Sequence, residues 1–219
     1  MSIVRVSNLT ISLDGFVAGP EQSEDNPLGV GAGGLHEWAF QTRSFLEAHG
    51  MDASGIDGTS SDVDEAFAAR GTDKVGAHIM GRNMFGPIRG AWPDDSWRGW
   101  WGENPPFHHP VFVLTHHPRE PLEMDGGTTF YFVSDGIESA LAQAREAAGA
   151  EDVLIGGGAL TVREFLDAGL IDEMHLAVVP VLLGTGERLF DGSFDVSQQF
   201  TFEPVQSSSA VAHFVLRRS

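Results

Sequence analysis

Cysteine is absent from the 219 residues, which excludes disulfide bonds and thiolate chemistry and is compatible with a cytoplasmic address. Lysine is nearly absent, Lys74 being the only one, and 13 basic residues face 31 acidic ones for a net charge of −18. A surface of that sign repels nucleic acid and anionic membrane, so neither is expected as a partner. No apolar run approaches the ~20 residues of a membrane span. The opening MSIVRVSNLTISLDG is interrupted by polar residues and lacks the basic-then-apolar pattern of a secretory signal. His108-His109 and His116-His117 are adjacent pairs; neighbours on a strand point to opposite faces, and no thiolate assists them, so no metal is expected. An anionic cofactor would have to be held locally in so acidic a protein. Individual arginines and backbone N–H groups therefore become informative.

The most informative stretch is DVLIGGGALTVREFLDAGLIDEMHLAVVPVLLGTGERLF, residues 152–190. Val153-Leu154-Ile155 is a short apolar run stopped by glycines and reads as a buried strand. Val162, Phe165, Leu166 and Leu170 recur at helical spacing, and Gly169 suits a helix end. MHLAVVPVLL follows as a second strand, broken at Pro180. Strand, glycine turn, helix and strand form one βαβ unit, with Gly156, Gly157 and Gly158 at the amino end of the helix. Unpaired N–H groups and the helix dipole favour an anion there, and glycines let a phosphate approach. Thr161 stands where a Rossmann fingerprint has its third glycine or alanine, and no Walker lysine is present. A tight turn without a ligand is the plainer alternative.

Elsewhere, residues 3–17 read as an opening strand ending near the turn signal Asp14-Gly15. Residues 20–34, rich in glycine, proline and acids, read as a long loop of the kind that covers a binding site. Residues 35–48 look helical, residues 50–60 irregular, and residues 61–70 helical behind the capping signature Ser61/Asp64. VGAHIM, residues 111–115 and residues 128–133 read as strands, residues 92–106 as a tryptophan-rich loop. Residues 136–148 read as a helix capped by Ser134 or Asp135. Residues 200–205 and 210–216 read as a closing antiparallel pair. One mixed α/β domain over residues 1–219 is expected.

The succession IMGRNMF, VFVLTHHP, FVSDGIESALAQA and VLIGGGALTVREFL resembles dihydrofolate reductase. SLDGFVAG and GLIDEMHLAVVPVLLGTGERLF look more like its bacterial relatives, which share a fold with the carboxy-terminal reductase domain of riboflavin biosynthesis. The resemblance implies a three-layer α/β/α domain on a mixed, mainly parallel sheet of about eight strands, a homodimer, and NADPH as cofactor. It places Gly156, Gly157 and Gly158 beside the nicotinamide ribose and pyrophosphate, with Ala159 and Leu160 offering amides. Gly81, Arg82 and Asn83 match a second phosphate-binding helix start. Thr115, His116 and His117 match the strand end at the adenosine 2′-phosphate, Ser134 a neighbouring position, and Thr10 the strand facing the nicotinamide. Counting back from Gly81 without gaps puts Glu65 at the family's buried carboxylate, a candidate for proton delivery. Asp62, Asp64 and Glu65 also read simply as acids complementing a helix start. Asp14 is a second substrate-side candidate. Phe16 replaces the base that riboflavin-type sequences carry after Asp14-Gly15. The function expected is hydride transfer from NADPH to a small planar heterocycle such as a dihydrofolate or pterin. The alternatives are a non-catalytic dinucleotide-binding module and a 5-amino-6-(5-phosphoribosylamino)uracil reductase of the riboflavin type.

Overall fold

A computed structural model describes residues 2–56, 61–192 and 196–219. The chain runs β1 (Val4–Ser12), β2 (Phe16–Ala18), α1 (Glu37–Phe40), α2 (Arg43–Ala48), α3 (Asp62–Arg70), β3 (Val75–Gly81) and α4 (Arg82–Phe85). It continues through β4 (Pro110–Leu114), β5 (Leu122–Glu123), β6 (Thr129–Val133), α5 (Ile137–Ala148), β7 (Asp152–Gly157) and α6 (Ala159–Asp167). The last strands are β8 (Glu173–Val179), β9 (Glu187–Arg188), β10 (Phe200–Val205) and β11 (Ala212–Arg218). Nine strands make the main sheet, in the order β10-β11-β8-β1-β7-β3-β4-β6-β5. From β8 to β6 all pairings are parallel, while β11, β10 and β5 run antiparallel to their neighbours. This is the expected mixed, mainly parallel sheet, extended by the two-residue edge strand β5.

The alternation of side chains assigns the layers. Ala77 and Ile79 of β3, with Phe112, Val153 and Ile155, join Ala140 and Leu141 of α5 and Val162 and Phe165 of α6 on one face. On the other face, Ala177 and Val179 pack against Leu35, Trp38 and Ala68. Met80, Val111 and Val113 there meet Phe85, Phe130 and the tryptophan-rich loop. Among the described residues no helix is long and apolar enough to cross a membrane.

Three local expectations change. Residues 3–17 are two strands, because Gly15 N–H donates to the Ser12 carbonyl and turns the chain, and β2 pairs with β9 instead. Residues 35–48 are a 3-10 turn and two short helices broken at Gln41-Thr42, where Thr42 is extended. The helix behind the three glycines starts at Ala159. It closes as foreseen at Gly169 (φ +69°), with Leu170 N–H reaching the Phe165 carbonyl. Neither Ser134 nor Asp135 caps α5; Gly136 does so at φ +90°, a conformation that favours glycine. The Ser61/Asp64 capping box is present in both directions. Of residues 50–60, positions 57–60 lie outside the described residues.

Candidate functional site

Because β1, β7, β3, β4 and β6 are parallel, their carboxyl ends lie along one edge of the sheet. Open parallel sheets bind ligands at that edge. A cavity of about 1140 Å³ occupies it, larger than the usual small-molecule pocket and roomy enough for a dinucleotide. The structure places all the residues expected to touch cofactor on its wall. Thr10 comes from β1, and Gly156, Gly157 and Gly158 from the end of β7. Ala159 and Leu160 open α6, and Gly81, Arg82 and Asn83 span the end of β3. Thr115, His116 and His117 follow β4, and Ser134 follows β6. The loop of residues 20–34 contributes Gln22, Pro27 and Leu28, and the tryptophan-rich loop contributes Trp100 and Trp101.

The glycines have a steric reason. Gly157 sits at φ +129°, and a Cβ on Gly81 would come within 2.5 Å of Thr161 Oγ1. Helix α6 has no side-chain cap at Gly158. Its leading N–H groups are therefore left for an anion. At β3 the following helix, α4, is a single turn, so the guanidinium of Arg82 carries the anion chemistry there. Arg82 lies over the indole of Trp92 at 3.7 Å and donates through Nη1 to the Gly90 carbonyl. Its Nε and Nη2 are out of contact with solvent and have no partner. Burial, then the neighbouring charges of Arg89 and Arg119, pull the Arg82 pKa below its ordinary value. Trp92 Nε1 also donates to the His117 carbonyl at 2.7 Å, which joins Arg82 to the strand end of Thr115–His117. Three neighbouring arginines, with two unpartnered donors on Arg82, in a protein of net charge −18 fit a phosphate.

The two expected carboxylates lie elsewhere. Glu65 accepts from Arg43 N–H and Ser44 N–H at 2.8 Å each, and from the Ser44 hydroxyl. It caps α2 from outside and so causes the break in residues 35–48. Burial raises the Glu65 pKa, and the hydrogen bonds from Ser44 and Arg43 outweigh it, for a net lowering. Glu65→Ala is expected to lower stability by about 1 kcal/mol, the worth of a helix cap, without changing ligand affinity at the cavity. Urea unfolding beside ligand titration checks this. Asp14 accepts from the Ser12 hydroxyl at 2.6 Å and from Leu183 and Gly184 N–H at 3.1 and 2.7 Å. The Ser12 bond leads the effects that hold its pKa at about 2. It fastens the β1–β2 turn to the segment after β8. The carboxylates that do line the cavity are Glu164, Asp167 and Glu187.

Sequence reasoning passed over a buried polar chain beside Thr10. Asp64 is 1% exposed and takes a 2.8 Å hydrogen bond from His213 Nε2. His213 Nδ1 lies 2.9 Å from His175 Nε2, and His175 Nδ1 lies 3.1 Å from the backbone nitrogen of Asn8. Asn8, which lines the cavity, sits in a bulge of β1 at φ +56°. The one forward signal was the Ser61/Asp64 cap, which marked Asp64 as held in place. Among the described residues no cluster of three or more His, Asp or Glu could hold a metal.

The model of the RibD C-terminal domain matches residues 5–214. A putative riboflavin biosynthesis protein from Shewanella sp. PV-4 superposes with a TM-score of 0.56, at 23% identity, over 100% of this chain and 98% of that one. A pyrimidine reductase-like protein from Corynebacterium diphtheriae superposes at 0.52, with 13% identity and 92% of its chain covered. Among curated proteins, YyaP of Bacillus subtilis, itself uncharacterized, is 33% identical over 122 residues, 52% of this chain and 62% of that protein.

Proposed function

Since the chain belongs to the RibD C-terminal domain family, we propose that it is an NADPH-dependent reductase that passes hydride to a planar heterocycle. One observation carries this reading. Five strand ends bring the glycine turn, the uncapped start of α6 and the unpartnered donors of Arg82 to the wall of a single cavity. In this reading Gly156, Gly157 and Gly158 with the amides of Ala159 and Leu160 hold the pyrophosphate. Arg82, with the Thr115–His117 strand end, holds the adenosine 2′-phosphate. Thr10, whose Oγ1 accepts from Trp38 Nε1 at 2.9 Å, is fixed on the strand beside the nicotinamide. The bound cofactor supplies the hydride, and the protein supplies position, charge and exclusion of water. Trp100, Trp101, Leu28 and Ile88 give the cavity the apolar surface that a flat heterocycle requires.

The test is binding of NADPH and NADH to the purified protein, followed by oxidation of bound NADPH. Dihydrofolate, pterins, flavins and a phosphoribosylamino-uracil serve as candidate acceptors. NADPH-selective binding with turnover of at least one acceptor is expected. Binding with no turnover of any acceptor favours the non-catalytic module, and binding of neither nucleotide sinks the reading.

A further inference from the structure

Reduction of a carbon–nitrogen double bond takes up a proton as well as a hydride, and Glu65 and Asp14 are both bound elsewhere. We propose that His36 is the acid, giving an imidazolium proton to the substrate nitrogen at the β1 end of the cavity. The proposal rests on the reductase reading above, because that reaction is what consumes the proton.

His36 lines the cavity and ends the 3-10 turn Gly33–His36, which packs on β1. Leu35 before it and Trp38 after it are buried against Ala177 and Val179 of β8. Trp38 Nε1 also donates to Thr10 Oγ1 at 2.9 Å. The backbone of His36 is thus gripped on both sides while its ring remains at the cavity. In the sheet, β1 stands three strands from β4, about 14 Å at the usual spacing. His36 is therefore remote from the Thr115–His117 strand end, to which the 2′-phosphate is assigned. It shares its part of the wall with Asn8, Leu9 and Thr10, where the nicotinamide and the acceptor meet in that reading.

The ring is free to act. Among the described residues neither nitrogen of His36 has a hydrogen-bond partner in the protein, and neither is sealed from solvent. The loop of residues 20–34 roofs this end. Gly19 N–H donates to the Leu28 carbonyl and Val30 N–H to the Pro20 carbonyl, at 2.8 Å each, which fixes Leu28 on the cavity wall. Burial alone lowers the His36 pKa. On the elements around it, Asp64 faces His213, Glu65 faces Ser44, and His213 meets the edge of Trp38. Glu21, Glu24, Asp25 and Glu37 are exposed, and Glu164, Asp167 and Glu187 reach the cavity from α6 and β9. A lowered pKa makes the imidazolium a stronger acid, and the negative charge of a bound dinucleotide favours its protonated form.

The reduced nicotinamide gives its hydride to the substrate carbon. The π pair of the double bond moves to nitrogen and takes the proton, and the N–H bond of His36 breaks to leave neutral imidazole. The cofactor departs oxidised, and a proton from solvent restores the imidazolium.

Single-turnover oxidation of bound NADPH, followed across pH with one of the acceptors named above, tests the assignment. The wild-type rate should rise as pH falls and level off below the ordinary imidazole value of about 6.5, because the acid form is the donor and burial lowers its pKa. His36→Gln should lower the rate by about 100-fold, the scale of general acid catalysis, and abolish that limb. NADPH affinity should hold, which also shows that the variant is folded. In His36→Ala, added imidazole should restore part of the rate, a response that a packing residue would not give. Turnover that His36→Gln leaves at the wild-type rate and pH profile overturns the role of His36 alone. So does a slower variant that keeps the limb and ignores imidazole. Wild-type protein that turns over no acceptor overturns the reductase reading, and the acid falls with it.

Discussion

Arg82→Ala is expected to weaken NADPH binding by about ten- to a hundred-fold, the loss of one or two charge-assisted hydrogen bonds, while NADH affinity changes far less. The difference arises because NADH lacks the 2′-phosphate. Arg82 shares Trp92 with the Thr115–His117 strand end, through a 3.7 Å ring contact on one side and a 2.7 Å hydrogen bond on the other. Its Nε and Nη2 have no protein partner to lose, but the Nη1 bond to the Gly90 carbonyl and the Trp92 contact go with it, so stability should fall by about 1 kcal/mol. Arg82→Lys should recover only part of the affinity, since a point charge does not reproduce a forked donor. Calorimetric titration with both nucleotides checks the result. Equal losses for the two would assign Arg82 to the pyrophosphate instead of the 2′-phosphate.

The second large effect is on stability. Arg5 is 2% exposed and bonds to four residues at once. Nε pairs with Asp152 of β7 at 3.0 Å, Nη1 donates to Ser7 Oγ and to the Arg70 carbonyl, and Nη2 donates to the Asp73 carbonyl. Burial pulls its pKa below the ordinary value while Asp152 opposes that pull. Arg5→Met fills similar volume but leaves Asp152 Oδ2 and two carbonyls without their donor. Breaking a buried pair from one side costs about 3–5 kcal/mol, a large share of the roughly 5–15 kcal/mol that holds a domain together. The melting temperature should fall by roughly ten degrees. Asp152→Asn, which keeps an acceptor, should cost less. A loss under about 1 kcal/mol for Arg5→Met would contradict the keystone role.

Much of this was legible in residue order. The βαβ unit of residues 152–183 announced itself through a short apolar run, three glycines and one helical stripe, all local signals. The capping box at Ser61 and Asp64 was equally local. What escaped depended on contacts between distant segments. Residues 35–48 have the composition of one helix, and the break comes from Glu65 capping α2 from a different helix. Which of the adjacent acids Asp64 and Glu65 turns into the interior was equally beyond a local reading. Adjacent helical residues differ by about 100° in direction, so Asp64 faces His213 while Glu65 faces Ser44. His175 and His213, 38 residues apart, meet only because β8 and β11 pair antiparallel in one register. No spacing rule reaches that far.

The place of β1 in the sheet has a consequence for how the chain folds. Its neighbours are β7 and β8, and its leading amides, at Ile3 and Val4, bond to Asp152 and Asp172, 149 and 168 residues further along. On a ribosome this strand is made before β7 and β8 and waits for them, at about 5–20 residues per second. Pairings so distant in sequence close slowly, and an unpaired apolar edge is open to wrong partners meanwhile. Refolding yield should accordingly depend on protein concentration more steeply than in a sheet assembled from consecutive hairpins.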